Sequence, residues 1–309
     1  MTHPLRRAFD RIGALLSGLP LAILIVGCAT APAPPSQPEV PALQQPVAKR
    51  PPKIGLALGG GAARGFAHVG VIQVLEEAGI RPSVVVGTSA GSLVAALYAS
   101  GRTGAQLQQT ALEMDEAAFA DWTLPFFNRG VLRGEALARY VNAQVGHKLL
   151  ENMALPLGIL ATDLGTGQGV LFERGDTGLA VRASSAVPAV FVPVRINGHE
   201  YVDGGLVSPV PVRYARQMGA ELVIAVDISA APEGNPSDDT VHLLLQTFAI
   251  MGKSINGFEL KEADVVVRPS LAGVGSAEFA ARRRSIEAGR AAMLARLPQL
   301  RAAIEAKSR

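Results

Sequence analysis

Ser89 stands in Gly87-Thr88-Ser89-Ala90-Gly91, directly after the β-branched run Val84-Val85-Val86 and directly before a helix-forming stretch, Ser92 to Tyr98. G-x-S-x-G between a strand and a helix is the pattern of a nucleophile elbow: the glycines remove Cβ atoms from a tight turn and the serine hydroxyl is pushed outward. The helix that follows aims its positive end at the turn, where negative charge develops during acyl transfer. A serine hydroxyl needs a base within hydrogen-bond reach. The chain has five histidines: His3 near the start, His68 in the first helix, His147 and His242 at helix ends, and His199 on a strand. His199 is the tempting triad member. Asp203 lies four residues further along the same strand, about 13 Å away, so the two cannot pair, and a triad through His199 needs another acid. The simpler arrangement is a dyad in which Asp203 itself takes the Ser89 proton. An Asp ahead of Gly204-Gly205 is also an ordinary turn residue, so it gains meaning only from its company.

A second segment supplies that company. Ile54 to Leu58 reads as a buried strand, broken by Gly59-Gly60-Gly61-Ala62-Ala63-Arg64-Gly65 and followed by a helix from about Gly65 to Ala78. A glycine loop at a helix N-terminus exposes backbone N–H groups and makes an anion site. A phosphate-binding P-loop needs Gly-Lys-Ser/Thr, and Arg64-Gly65-Phe66 stands there instead. A dinucleotide fingerprint wants G-x-G-x-x-G and an acidic residue ending the second strand. This loop is one residue too long, and the second strand ends in Gly87-Thr88-Ser89. The anion expected is therefore a reaction oxyanion. Arg64 either holds the loop's shape, faces the anion, or makes a surface salt bridge.

The glycine loop, Gly87-Thr88-Ser89-Ala90-Gly91 and Asp203-Gly204-Gly205 resemble, in that order, the three signatures of the patatin-like phospholipases. Ala183-Ser184-Ser185-Ala186-Val187-Pro188 with Phe191-x-Pro193 resembles a fourth block of the same family. The similarity is closest to the family's bacterial lipoprotein branch and runs from about Lys53 into the C-terminal helix. It implies a patatin-like three-layer α/β sandwich that hydrolyses lipid acyl esters of phospholipids or lysophospholipids without a cofactor. It implies Ser89 as nucleophile, Asp203 as base, the Gly60, Gly61 and Ala62 amides as oxyanion hole, and Arg64 as the family's basic loop residue. There is one departure. Aligned on Arg64-Gly65, Gly59 falls where the plant-type loop has Asp, and Ala62 falls at its third glycine.

The chain opens with a targeting pattern: Arg6, Arg7 and Arg11, an apolar stretch from Ile12 to Val26, then Gly27-Cys28. The stretch is short for a membrane-spanning helix. Ile25-Val26-Gly27-Cys28 resembles a bacterial lipobox, and Cys28 is the chain's single cysteine, so a disulfide within the chain is excluded. An ordinary signal peptide and a retained anchor are the alternatives. The expected organisation is a lipoprotein signal peptide over 1–27, a lipidated Cys28 with a tether over 28–52, and an acyl hydrolase domain over 53–309. Ala29 favours the outer membrane, facing the periplasm. Eight prolines in residues 31–52 make the tether polyproline-like, with a reach of up to ~70 Å. Residues 1–27 hold three arginines and one aspartate, so without them the formal charge falls from +3 to +1. That is no nucleic-acid surface, and no His/Cys/Glu cluster offers a metal site. Arg282-Arg283-Arg284 reads as a solvated helix face.

Elements must deliver these residues to one place. Further helices are expected over 103–118 and 133–147, with an aromatic cluster of Phe119, Trp122, Phe126 and Phe127 between them that reads as core packing or a membrane-dipping lid. Strands are expected at Leu155 to Thr162, Gly169 to Glu173, Glu221 to Asp227 and Ala263 to Arg268. Asn197-Gly198 marks a hairpin that ends in Asp203. Helices are expected from Val241 to Leu260 and from Ile286 to Ala306. The alternation gives a mostly parallel central sheet with helices on both faces, and the site belongs at the carboxyl ends of the strands. A tethered binding module without activity, and an esterase or thioesterase of small acyl compounds, are the rival readings.

Overall fold

A computed structural model describes residues 50–115, 130–232, 239–275 and 277–309. The leader, Cys28, the tether up to residue 49 and the aromatic cluster lie outside the described residues. Residues 50–52, expected in the tether, pack on the domain. Arg50 exchanges backbone hydrogen bonds with Arg309 and its guanidinium grips Glu221 at 2.8 Å, so residues 50–52 are docked.

Five strands make the parallel centre: β1 (Ile54–Leu58), β2 (Val84–Thr88), β4 (Leu157–Asp163), β9 (Leu222–Val226) and β10 (Val265–Val267), in the order β10-β9-β1-β2-β4. β1, β2, β4 and β9 are buried along their whole length, which is why they read as unbroken apolar runs rather than as alternation. Their side chains still alternate in direction. Leu56, Leu58, Val85, Ile159 and Ile224 pack beneath α1 (Ala67–Glu77), α2 (Ala90–Ala99), α3 (Gly104–Glu113) and the long C-terminal α8 (Arg282–Lys307). Ala57, Val86, Leu160 and Val223 face α6 (Val212–Gln217) and Leu260, just beyond α7 (Thr240–Glu259). Each fully buried Val, Leu or Ile among them contributes roughly 1.5–3 kcal/mol.

The antiparallel part brings the site together. β5 (Gly169–Phe172), β7 (Val194–Ile196) and β8 (His199–Asp203) extend the sheet beyond β4. β7 and β8 form the expected hairpin, with Asn197 and Gly198 both at positive φ. Leu160 of β4 pairs with Thr88 of β2 and with Leu171 of β5, whereas Ala161 pairs with Val170 of β5 and with Asp203 of β8. β5 occupies one edge of β4, so β2 and β8 share the other edge end to end. The last residue of β8 therefore takes the place that β2 vacates as it turns into the elbow.

The remaining elements are β3 (Gly130–Leu132), which pairs with β6 (Ala189–Phe191) in a small separate sheet, α4 (Glu135–Gln144) and α5 (Thr177–Ser184). Arg282 departs from the reading as solvated helix face. Its guanidinium donates to the Ala111, Leu112 and Met114 carbonyls at the end of α3 and sits over the Phe66 ring. A helix C-terminus leaves such carbonyls unpaired, and a cation there satisfies them.

Candidate active site

Ser89 holds φ 53 and ψ −124 at the joint of β2 and α2. A non-glycine residue in that region stores on the order of 1–3 kcal/mol of strain and persists only where its surroundings insist. Here they do. The Ser89 N–H donates to the Ser184 hydroxyl at 2.9 Å. The Ser89 carbonyl accepts from the Ser92 hydroxyl at 2.6 Å and the Ser92 amide at 2.8 Å. The flanking glycines are needed for contact: a Cβ on Gly91 would lie 2.1 Å from the Leu58 carbonyl oxygen, and one on Gly87 would lie 2.5 Å from the Gly91 carbonyl oxygen.

The Ser89 hydroxyl lies near enough to the Asp203 carboxylate to help hold its charge, and both line one groove. Asp203 is 7% exposed, and its Oδ1 also accepts the Gly205 N–H at 2.7 Å. Burial pushes its pKa up to about 6, against the pull of Ser89 and of the Gly205 hydrogen bond. Asp203 is thus a stronger base than an exposed carboxylate and still ionised at neutral pH. Its backbone is fixed on both sides, by its N–H to Ala186 at 3.0 Å and by the Thr162 hydroxyl to its carbonyl at 2.9 Å.

The glycine loop faces this pair, and a Cβ on Gly60 would sit 3.1 Å from the Ser89 Cβ. Of the three amides expected to receive the oxyanion, Gly60 is already engaged: its N–H donates to the Pro209 carbonyl at 2.9 Å. The Gly61 and Ala62 amides precede the first turn of the 3-10 helix Ala62–Phe66 and have no acceptor among the described residues. The expected hole therefore narrows to Gly61 and Ala62, the latter held at φ 50.

Arg64 makes no salt bridge among the described residues. Its Nε donates to the Ile228 carbonyl at 3.0 Å and its Nη1 to the Val274 carbonyl at 3.3 Å, so it holds the loop's shape. Burial lowers the pKa of this guanidinium. His68 grips the start of the loop: its ring Nε2 lies 2.8 Å from the Gly59 carbonyl oxygen. Burial drives its pKa down to about 4, so the ring is neutral and this nitrogen is the donor.

His199 is not brought to Ser89. It pairs with Asp163 at 2.8 Å, at the far end of β8. Among the described residues no group of His, Cys, Asp and Glu side chains could hold a metal ion. Sequence reasoning missed Ser184 as the partner of the elbow amide, Pro209 as a loop anchor, and His242 on the wall of the groove. His242 pairs with Asp239 at 2.6 Å. For Ser184 a signal existed, since it lies in the Ala183–Pro188 block.

Ser89, Asp203, Gly61 and Ala62 line one groove of about 780 Å³. Its other wall is mostly apolar and comes from Val187, Pro188 and the inward face of α7, through Leu245, Phe248, Ala249 and Gly252. A nucleophile beside a buried carboxylate, two unengaged amides in the same groove, and an apolar trough of that size suit an ester with a long acyl part.

Comparison with known proteins follows the same lines. The patatin-like phospholipase family matches residues 56–216. An uncharacterised NTE family protein of Mycobacterium tuberculosis is 35% identical over 200 residues, which cover 60% of this chain and 52% of that protein. Human patatin-like phospholipase domain-containing protein 6 is 33% identical over 231 residues, covering 72% of this chain and 16% of that protein. The chain thus matches about half the length of the first relative and a small part of the second. The crystal structure of VipD from Legionella pneumophila superposes with a TM-score of 0.53 at 17% identity, covering 80% of this chain and 67% of that one. That likeness is one of fold.

Proposed function

Because the chain belongs to the patatin-like phospholipase family, we propose that it is a serine hydrolase of lipid acyl esters, of phospholipase A or lysophospholipase type. The observation that carries the reading is that one groove brings together Ser89, a buried Asp203 whose pKa is raised to about 6, and the unengaged Gly61 and Ala62 amides. Asp203 takes the Ser89 proton as Oγ attacks the ester carbonyl. The Gly61 and Ala62 amides receive the charge on the carbonyl oxygen, in a site where such donors contribute most to catalysis. As the tetrahedral adduct collapses, Asp203 returns the proton to the leaving alcohol and Ser89 keeps the acyl group. Water then gives a proton to Asp203 and attacks the acyl-enzyme. Collapse of the second adduct releases the fatty acid, and the proton goes back to Ser89.

The Ile25–Cys28 pattern supports lipidation at Cys28 and residence at the outer membrane, facing the periplasm. Two or three acyl chains anchor a protein stably where one does not.

The test is labelling of the full chain with a fluorophosphonate, with the adduct located by peptide mass. A stoichiometric adduct on Ser89 that is lost in Asp203→Asn is the expected result. A folded protein that takes no adduct, with or without phospholipid vesicles, overturns the reading in favour of a binding module.

A further inference from the structure

The helix that walls the groove has a second face with no place in that groove. Six of the nine large apolar side chains exposed among the described residues lie on α7: Val241, Leu243, Leu244, Ile250, Met251 and Phe258. At 100° per residue, all but Val241 fall on the side opposite Leu245, Ala249 and Gly252, together with Thr247, Ser254 and Gly257. All of these outward positions are exposed and none carries a charge. The stripe from Leu243 to Phe258 is about 22 Å long. Contiguous apolar surface of this kind marks an interaction site. Exposed lysines stand at its margins: Lys253 on the groove side, and Lys261, whose Nζ lies 5.2 Å from the centre of the Phe258 ring.

We propose that the outward face of α7 rests on a phospholipid bilayer, Leu243, Leu244, Ile250, Met251 and Phe258 entering the headgroup–acyl boundary, so that lipid passes around one helix to reach Ser89. The inference rests on reading the groove as a lipid-ester site. Three observations favour a bilayer over another occupant. The helix is amphipathic in an uncommon sense, its second face being the wall of an apolar trough, so lipid is the one partner that both faces accept. Beyond the C-terminal end of the stripe, the exposed Lys261 carries a cation on a long stem, which reaches an anionic headgroup while its stem stays in the apolar layer. Finally, the strip is a single helix face about 22 Å long with no charged position along it, so it offers a protein partner no charge to fix its register. A bilayer rewards apolar insertion without shape complementarity. No described helix is long and apolar enough to cross a membrane, so α7 would lie in the interface plane.

Two measurements test this on the full chain. In a Cys28→Ala background, which removes the single native thiol, Met251→Cys carries an environment-sensitive fluorophore. Arg301→Cys, exposed at the far end of α8, carries the same label as control. Vesicles of phosphatidylcholine with phosphatidylglycerol and brominated lipid should blue-shift and quench the label at position 251 and leave position 301 unchanged. Equal quenching at both positions, or none at 251, overturns the proposal. So does a dimer that Ile250→Glu disperses, which would assign the face to a second copy. Second, Ile250→Glu with Phe258→Glu should lower hydrolysis of vesicle phospholipid at least tenfold and leave hydrolysis of a soluble short-chain ester within twofold. Loss of both activities, or of neither, counts against it. Quenching does not depend on turnover, so an inactive protein that still docks at position 251 separates failure of the hydrolase reading from failure of this one.

Discussion

Ser184 holds the backbone of the nucleophile: its hydroxyl oxygen accepts the Ser89 amide at 2.9 Å while its proton goes to the Leu160 carbonyl. Ser184 and Leu160 are wholly buried, so water does not replace the hydroxyl at the Leu160 carbonyl. One hydroxyl therefore ties α5, β4 and the elbow together and opposes the strain at Ser89. Ser184→Ala removes the partner of the part-buried Ser89 amide and a donor to the buried Leu160 carbonyl, at a cost of about 1–3 kcal/mol. The expected result is a fall in Tm together with at least a tenfold loss of kcat. An unchanged Tm and kcat would mean that the glycines and Ser92 hold the elbow without it.

The activity should have an acid limb set by Asp203. The base must be ionised to take the Ser89 proton, and burial places its pKa at about 6 rather than the ordinary 3.8. kcat/KM for a soluble ester should rise tenfold per pH unit below that point and level off above it. A limb centred near pH 4 would show that Asp203 is either solvated in the working enzyme or not the base.

The same shift predicts that the base weakens the fold. Between about pH 3.8 and about pH 6 the native state keeps a proton that the unfolded chain has lost. Stability therefore falls as pH rises through this window and stays lower above it. Asp203→Asn keeps the shape and removes the buried charge. It should abolish turnover yet stabilise the protein at pH 8 by on the order of 2–3 kcal/mol, with no gain at pH 4. Thermal unfolding at the two pH values checks it. A loss of stability at pH 8 would mean that the carboxylate is better solvated by Ser89 and Gly205 than its burial implies.

Gly91 illustrates what could be read from the chain and what could not. Its presence in G-x-S-x-G announced a tight elbow, and apolar runs such as Val84-Val85-Val86 announced the central strands, because both are local signals. Asn197-Gly198 likewise fixed the hairpin that ends in Asp203. The meeting of Asp203 with Ser89 depends on β8 following β2 along the same edge of β4. Strand pairing at that separation leaves no local trace. Gly60 escaped for the same reason: nothing near it in sequence says that Pro209 will take its amide. Arg282 read as a solvated charge because the carbonyls it caps lie about 170 residues away in sequence. Gly91→Ala would bring a Cβ to 2.1 Å from the Leu58 carbonyl oxygen. Backbone on both sides cannot give way, so the variant should fail to fold or lose more than about 4 kcal/mol. A well-folded Gly91→Ala protein would show that α2 can shift away from β1.

Arg64 offers the sharpest division between two roles. Its guanidinium joins the glycine loop to the Ile228 and Val274 carbonyls, and it also lines the groove. If its work is to hold the loop, Arg64→Lys is not conservative, since one ammonium cannot reproduce a planar fork bonded to two carbonyls. The Gly61 and Ala62 amides would then drift from the position the oxyanion takes. An interaction made only in the transition state lowers kcat and kcat/KM together. Arg64→Lys is therefore expected to lose at least tenfold in kcat on a soluble ester, with KM within about threefold, and Arg64→Met should lose more. Raised KM for phospholipid at constant kcat would instead place Arg64 against the lipid headgroup and leave the loop to be held by His68 and Pro209 alone.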